Sequence, residues 1–222
     1  MSSPRKTQAT RQPDPVLTPR ILEAARRLLF THGVTGMTMD ALAEELGMSK
    51  KTLYVHFAGK DALLGAIIQD LADTMHRAVS QVLANKDLNC TERLCTVIDT
   101  IGTSMSRITP AMLRDLQRNA PAVYQKIDSV RRSKIPQIFG RIIRDGMADG
   151  TIRSDINPDF TTEFWLQAVR GMLDPETLLR TQLSPRQTLE QGVALFFQGL
   201  LSPAGRSQFL AHRQNCTQHG TH

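Results

Sequence analysis

The sequence lacks the features that mark membrane and exported proteins. No uninterrupted apolar run approaches the roughly 20 residues that a membrane-spanning helix needs. The first 17 residues include Arg5, Lys6 and Arg11 but no apolar stretch typical of a secretory signal. Aromatic residues make up only 5% of the chain, and strand-forming residues are scattered. These absences favour a cytoplasmic protein with no membrane partner, and they disfavour a β-sheet architecture.

Cysteine is also scarce, with Cys90, Cys95 and Cys216 in 222 residues and no C-x-x-C pair. An odd and widely spaced set is typical of reduced thiols rather than of disulfides or thiolate metal sites. A redox-sensing role for Cys90 or Cys95 is the alternative. It has little support in the sequence, because nothing nearby would clearly lower a thiol pKa.

Motifs of common enzyme classes are missing as well. The chain contains no H-E-x-x-H, G-x-S-x-G or G-x-x-x-x-G-K-[ST] pattern. Residues 58–61 (AGKD) resemble the end of a phosphate-binding loop, but the required upstream glycine and strand are absent. We therefore predict no catalytic residue, no cofactor and no metal site. A metal site in the tail is the alternative to an exposed polar segment there, with the candidate ligands His212, Cys216, His219 and His222.

The chain does have enough apolar material for a core, and a mild excess of positive charge. Hydrophobic residues make up 41% and charged residues 22%, as in globular proteins, and the length allows one large or two small domains. The formal net charge is +6. The first 61 residues carry nine basic and six acidic side chains, and the other 161 carry 18 and 15. The denser positive charge of the N-terminal part suits a partner that carries phosphates, although it is not specific for one.

Apolar side chains recur every three to four residues along almost the whole chain, and no convincing stretch alternates as a strand would. We therefore predict an all-α fold. Pro136 lies inside the helix that starts at Pro121 and predicts a kink or break there. The other predicted helices begin at polar residues and several end at glycines: the starts are Thr18, Thr38, Ser49, Thr91, Thr109, Asn157 and Ser184, and the ends are Gly33, Gly47 and Gly150.

The stretch TMDALAEELGMSKKTLYVHFAGKD, residues 38–61, has the outline of a helix-turn-helix. Gly47 permits a tight bend between two short helices, and Leu53 and Phe57 are expected to point back toward the first of them. The polar side of the second helix then faces outward. A helix about two turns long fits the major groove of DNA, where side chains near its N-terminal end reach base edges. The outward-facing residues are Ser49, Lys50, Lys51, Thr52 and Tyr54, with His56 and Lys60 just beyond them.

Residues 21–64 resemble the DNA-binding domain of the tetracycline-repressor (TetR) family of bacterial transcription regulators. The matching pieces are ILEAARRLLFTHGVTGMTM, ALAEELGMS and TLYVHFAGKDALL. The resemblance implies a symmetric dimer on operator DNA with the third helix in the major groove. It implies that Ser49, Lys50, Lys51 and Thr52 contact bases or adjacent phosphates, and that Thr38, Tyr54, His56 and Lys60 hold the sugar-phosphate backbone. Taken singly, each of these residues could equally be a solvated charge, a packing residue or a helix cap.

The rest of the chain resembles this family in architecture only, which implies a helical ligand-binding and dimerisation domain. The last two long helices would then pair with their copies in a four-helix bundle. Their apolar width exceeds one amphipathic stripe, which suggests an interface, the alternative being the chain's own core. Predicted interface residues are Val169, Met172, Val193, Phe196, Phe197 and Leu200. The resemblance also implies a small-molecule pocket, with candidate lining residues Met105, Met112, Phe139, Met147 and Trp165.

The sequence thus predicts a disordered basic arm (1–17), a helix-turn-helix domain (18–64), a helical ligand-binding and dimerisation domain (65–201) and a flexible tail (202–222). The expected function is a ligand-responsive transcriptional regulator, most simply a repressor that a small molecule releases from its operator. One rival is an all-helical enzyme or carrier with a vestigial helix-turn-helix, and another is an architectural DNA binder with little sequence preference. The basic arm could enter the minor groove, although a solvated extension is the simpler interpretation.

Overall fold

The computed structural model describes the backbone of residues 14–219 and the side chains of residues 14–211. Within that range the chain forms eleven α-helices, and the one bridge between extended residues joins Ile152 and Leu201. The prediction of an all-α fold is confirmed. None of the described helices is long and apolar enough to cross a membrane. The basic residues of the predicted arm and the side chains of the candidate metal ligands in the tail lie outside the described residues: Arg5, Lys6, Arg11, His212, Cys216, His219 and His222.

The chain divides into two compact units, of which the first ends at Ile67. Its helices are α1 (Leu17–Gly36), α2 (Met39–Leu46), α3 (Lys50–His56) and the first turns of α4 (Lys60–Ala84). Helix α1 packs on α2, and α2 packs on α3. The core residues of this unit are less than 5% exposed: Ile21, Ala24, Ala25, Leu29, Val34, Met37, Leu42, Leu53, Leu63, Leu64 and Ile67.

The start and end of α1 differ from the sequence prediction. The helix begins one residue before Thr18, which is not its cap, because the Thr18 hydroxyl donates to the backbone carbonyl of Asp14 instead. Gly33 has φ 71° and interrupts the regular helix, as its position predicts, although helical turns resume as far as Gly36. A left-handed φ is inexpensive for glycine, so the break falls there.

The second unit begins at Ile68 and contains the rest of α4 and seven further helices. The predicted caps Thr109, Asn157 and Ser184 are confirmed, since each side chain accepts a backbone N–H of the first turn. Thr91 is not a cap, because the helix begins at Cys90, where Asn89 and Glu92 form a reciprocal capping box. The helices are α5 (Cys90–Met105), α6 (Pro110–Asn119), α7 (Pro121–Ala148), α8 (Pro158–Met172), α9 (Pro175–Thr181), α10 (Pro185–Leu200) and α11 (Pro203–His219).

Helix α7 runs through Pro136 without the predicted break. Proline removes a single N–H from the hydrogen-bond ladder. The following turn carries Ile138 and Phe139, which are 8% and 4% exposed, and packing of such a face against the core stabilises the helix on the C-terminal side of the proline.

The prediction of a flexible tail is wrong for residues 203–219, because these residues form α11. The Ser202 side chain accepts the N–H of Gly205, and Phe209 is 3% exposed within the core of the second unit. Ser202–Pro203 is the same polar-proline start that marks four other helices, so the signal for α11 was present in the sequence.

Four aromatic rings form the centre of the second unit. The ring of Phe139 on α7 stacks on Trp165 of α8 with 5.4 Å between ring centroids, and Trp165 lies 4.9 Å from Phe196 of α10. Phe197 meets Phe139 edge-on at 5.7 Å. Such contacts between rings stabilise a core beyond the area they bury. Helices α7, α8 and α10 are therefore held together by this cluster.

Cys90 and Cys95 are buried and form no disulfide within the described residues, and Cys90 lies next to Asp149. Burial, reinforced by the negative charge of Asp149, raises the pKa of the Cys90 thiol from 9.0 to about 11. A redox sensor needs the opposite shift, because the thiolate is the reactive form. Between pH 9 and 11 the unfolded chain loses this proton while the folded chain keeps it, so the contribution of Cys90 to stability is lost as the pH rises through that window.

We expect iodoacetamide at pH 8 to alkylate Cys90 about 100-fold more slowly in the folded protein than in urea, because the thiolate fraction is lower by that factor. Peptide mass spectrometry of samples quenched at intervals measures the rate. Equal rates in the two conditions would show that the thiol is exposed.

Candidate nucleic-acid interface

Helix α3 has one buried and one exposed face. Leu53 is fully buried and Phe57, which follows the helix, is 9% exposed. On the other side Lys50 and Lys51 are exposed, and Tyr54 is 52% exposed. A short helix anchored by its apolar side thus presents a cationic and aromatic face to solvent.

The turn before α3 holds this face in place. Gly47 adopts φ 61°, and its N–H and that of Met48 return to the carbonyls of Glu44 and Ala43 at the end of α2. This closes α2 with the left-handed residue that its sequence predicts. Helix α3 therefore starts at a fixed position relative to α2.

The hydroxyls predicted to contact DNA also cap helices. The Thr38 hydroxyl accepts the N–H of Ala41, and the Ser49 hydroxyl accepts the N–H of Thr52. Ser49 Oγ and Thr52 Oγ1 lie 2.9 Å apart and are hydrogen-bonded to each other. Thr38 and Ser49 are exposed and Thr52 is half-buried, so capping leaves them accessible to a ligand.

The three lysines of the site differ in their partners. Lys50 forms an ion pair with Asp40 of α2, and both side chains are more than half exposed. In the part of the chain that the structure describes, neither Lys51 nor Lys60 forms an ion pair. These two ammonium groups are therefore available to phosphates without first losing a protein partner. The sequence prediction missed Asp40. An acidic residue in the first turn of a helix indicates only a favourable interaction with the helix dipole, and not an ion pair with another helix.

His56 connects the end of α3 to the start of α1. Its Nδ1 lies 2.9 Å from the Thr18 hydroxyl, and the His56 side chain is half-buried. A contact from His56 to a DNA phosphate would have to use the other ring nitrogen. The guanidinium of Arg27 on α1 donates to Glu45 of α2, which adds a surface link between those helices.

The structure brings all eight predicted contact residues into the first unit and buries none of them fully. Their roles toward DNA stay predictions. The five exposed residues are Thr38, Ser49, Lys50, Lys51 and Tyr54. The three half-buried residues are Thr52, His56 and Lys60.

Residues 21–67 match the family model described as bacterial regulatory proteins, tetR family. The match contains α2 and α3 in full, with the exposed face of α3 inside it. This segment belongs to the TetR family, and the helix-turn-helix of that family corresponds to α2 and α3. The chain is a DNA-binding transcriptional regulator.

Curated relatives extend this similarity beyond the first unit. The chain is 25% identical over 181 residues to the uncharacterised HTH-type transcriptional regulator YvaF of Bacillus subtilis (strain 168), covering 82% of this chain and 94% of that one. It is 21% identical over 193 residues to the HTH-type transcriptional repressor DhaR of Mycobacterium sp. (strain GP1), covering 82% and 90%. Similarity to regulators over most of both chains includes the helical second unit.

Solved structures share the fold of this chain. A transcriptional regulator from Cytophaga hutchinsonii ATCC 33406 aligns with a TM-score of 0.67 at 19% identity, over 85% of this chain and all of that one. A gamma-butyrolactone receptor described as ArpA-like aligns with a TM-score of 0.55 at 16% identity, over 91% and 97%. At these identities the structures support the fold alone.

The predicted pocket residues contribute to packing in the second unit. Phe139 and Trp165 are 4% and 6% exposed within the aromatic core, and Met105 and Met147 pack against it. Met112 on α6 is half-buried. None of the five lines the cleft of about 290 Å³ that the structure contains on the α7–α8–α9 side of this unit. In the described residues no group of three or more His, Cys, Asp or Glu could hold a metal ion.

The predicted interface residues mostly face inward. A side chain covered by its own chain has little surface left for a partner, so burial of four of the six favours the alternative of an internal core for them, and the interface assignment stays a prediction. The apolar residues of α8 and α10 that are exposed are instead Phe160 (69%), Phe164 (54%) and Leu195 (78%). Buried are Val169, Val193, Phe197 and Leu200, and half-buried are Met172 and Phe196.

Proposed function

We propose that this protein is a homodimeric repressor that grips operator DNA with the exposed face of α3 and is released by a small molecule bound in the second unit. One observation carries the DNA part of the proposal. Within the TetR-family segment, the apolar side of α3 is buried while Lys50, Lys51 and Tyr54 project into solvent. Operator DNA lies in the bacterial cytoplasm, which is therefore the proposed location.

The proposed contacts divide by position along the helix-turn-helix. Ser49, Lys50, Lys51 and Thr52 at the start of α3 would reach base edges or the nearest phosphates, because the leading turn of a recognition helix points into the groove. Thr38, Tyr54, His56 and Lys60 would hold the backbone on either side. Backbone contacts fix the register of the protein, and base contacts select the sequence.

Release by a ligand is supported by two similarities and one cleft. DhaR is named as a repressor, and the structural neighbour ArpA-like protein is named as a gamma-butyrolactone receptor. The second unit of this chain has a cleft of a size suited to a small ligand. A ligand that prefers one of two dimer shapes would shift DNA affinity by a coupling free energy that is commonly ~1–3 kcal/mol.

The proposed dimer interface is the exposed apolar patch of α8 and α10, defined by Phe160, Phe164, Leu195 and the adjoining edge of Phe196. The ring of Phe164 stacks on Phe196 with centroids 5.6 Å apart, and Phe160 lies 6.2 Å from Phe164. The patch is therefore continuous across both helices. Contiguous exposed apolar surface of this kind typically marks a binding site for a protein partner. A second copy of the chain is the occupant that the family similarity favours.

Fluorescence anisotropy with a duplex from the protein's own upstream region, at several salt concentrations, tests the DNA proposal. We expect Lys60→Ala to weaken binding to cognate and random duplex alike and to lower the salt slope by about one unit, because it removes one phosphate contact. We expect Lys51→Ala to weaken cognate binding more than random binding, by about tenfold.

Lys86→Ala is the matched control, since Lys86 is an exposed lysine of the second unit. It should leave both affinities unchanged. Equal losses for all three variants would contradict the assigned contacts. Absence of binding to any duplex would favour the vestigial rival, and equal affinity for cognate and random duplex would favour the architectural one.

A further inference from the structure

The cleft of the second unit contains donor groups that lack partners. It is lined by one face of α7, by the end of α8 and by the residue that caps α9, and its volume is about 290 Å³. The lining residues are Tyr124, Gln125, Ile127, Asp128, Arg131, Arg170 and Asp174.

The two acidic residues of the cleft are already engaged. Asp128 accepts hydrogen bonds from Arg132 and Arg170. Burial alone would raise the pKa of Asp128, but these two hydrogen bonds outweigh it and hold the pKa below its ordinary value. Asp174 caps α9 by accepting the N–H of Glu176 at 3.0 Å. Each carboxylate therefore has a fixed local partner.

Arg131 differs from its neighbours because it has no such partner. Within residues 14–211 its guanidinium forms no hydrogen bond and no ion pair, although its side chain is partly buried in the cleft. Burial lowers the pKa of Arg131 against the opposing effects of Tyr124 and Asp128. An arginine nevertheless stays charged, so the cleft holds a cation whose donors make no hydrogen bond within the described residues.

The Tyr124 hydroxyl also lacks a hydrogen-bond partner in the described part of the chain, and it lines the same cleft. Burial, and then the charge of Asp174, raises the pKa of Tyr124 above its ordinary value. The hydroxyl is therefore protonated near neutral pH and can donate. Together with the guanidinium it gives the cleft two kinds of unused donor.

We propose that the cleft binds a small organic molecule bearing one carboxylate, which Arg131 holds in a fork of two hydrogen bonds while Tyr124 donates a third. The planar guanidinium matches the geometry of a carboxylate. The charges of Asp128 and Asp174 disfavour a second negative charge, so a monoanion fits better than a phosphate dianion. Ile127 and the ring of Tyr124 supply apolar contact for the rest of the ligand. The cleft volume of about 290 Å³ lies just below the usual range for ligand pockets, about 300–1,000 Å³, so the ligand must be small.

The regulatory meaning of this site rests on the proposed function: the carboxylate ligand would be the molecule that releases DNA. Binding itself does not depend on that function. The two claims can therefore fail separately, and the experiment measures them separately.

The binding test is calorimetry and thermal melting of the full chain with benzoate and phenylacetate, each paired with its neutral amide, and with inorganic phosphate. We expect at least one carboxylate to raise the melting temperature while its amide and phosphate do not. Arg131→Gln should weaken binding of that carboxylate by at least tenfold, and Tyr124→Phe should weaken it by a smaller factor. Arg118→Gln, which removes the same charge from an exposed arginine of α6, should bind like the unchanged protein.

The site proposal is overturned if neither carboxylate shifts the melting temperature, if amide or phosphate acts equally well, or if Arg131→Gln binds normally. Arg131→Lys keeps the charge but not the fork, so it separates a loss of binding from a loss of folding. Anisotropy with operator DNA then gives the second result. A carboxylate that binds without changing DNA affinity overturns its role as the effector and leaves the site standing. A chain that binds carboxylate but no DNA overturns the proposed function instead.

Discussion

Replacement of Leu195 by aspartate is expected to convert the dimer into a monomer and to weaken operator binding at least about 100-fold. Leu195 is 78% exposed, the largest exposure among the apolar side chains of the α8–α10 patch. A carboxylate at that position would have to lose its hydration in the interface without a partner charge. A monomer contacts one half-site only, so it loses the gain in affinity that comes from linking two recognition helices.

Analytical ultracentrifugation gives the oligomeric state, and anisotropy on the same sample gives the DNA affinity. Leu210→Asp is a suitable control, because Leu210 is also an exposed leucine (48%) and lies on α11 outside the patch. It should remain dimeric and bind DNA normally. A dimeric Leu195→Asp variant would show that the patch of α8 and α10 is not the interface.

Replacement of Leu53 by alanine is expected to destabilise the first unit by about 2–5 kcal/mol, the usual range for a fully buried leucine. Leu53 is 0% exposed and is the anchor of α3. A unit of this size has little stability in reserve. The exposed lysines and Tyr54 would then lose their fixed positions, and DNA affinity should fall to the background of non-specific binding.

Hydrogen exchange read by mass spectrometry separates this effect from a lost contact. In Leu53→Ala we expect protection to fall across residues 17–67 and to persist in α7, α8 and α10. Leu179→Ala, at a leucine that is 42% exposed on α9, should leave the first unit protected. Lys51→Ala should lose DNA affinity without any change in exchange. Full protection in Leu53→Ala together with lost binding would contradict a packing role for Leu53.

The helix-turn-helix could be predicted from sequence because local chemistry determines most of it. Two side chains, those of Thr38 and Ser49, accept backbone N–H groups of the helices that follow them, and Gly47 ends α2 in a left-handed conformation. These effects involve only neighbouring residues and do not depend on distant parts of the chain. The apolar spacing of α2 and α3 likewise sets which sides are buried. Helix starts marked by a polar residue and proline were confirmed for α6, α8 and α10, and α11, which was missed, follows the same rule. Thr18 and Pro19 are the exception, because α1 begins one residue before Thr18.

Predictions that depend on tertiary packing were weaker. Apolar width in α8 and α10 indicated two buried surfaces, but the sequence alone could not assign each residue to the core or to a partner. Val193 and Phe197 proved internal, and the exposed side is carried by Phe164 and Leu195 instead. The cleft with Arg131 could not be predicted either, since it depends on α7, α8 and the cap of α9 meeting in space. A lone arginine in a helical sequence gives no sign that it lacks a partner.

The pairing of Lys50 with Asp40 has a consequence for how the regulator discriminates among duplexes. In the free protein the Asp40 carboxylate pairs with the Lys50 ammonium group, as a DNA phosphate would. A duplex must therefore compete with Asp40 for Lys50. Both side chains are largely exposed, and such a pair is worth at most about 1 kcal/mol. Breaking the ion pair costs this free energy on every duplex, but only a sequence that offers Lys50 a well-placed acceptor compensates for the loss. If Lys50 contacts DNA as proposed, Asp40 competes with every duplex for this lysine and so disfavours binding to sequences that do not engage it.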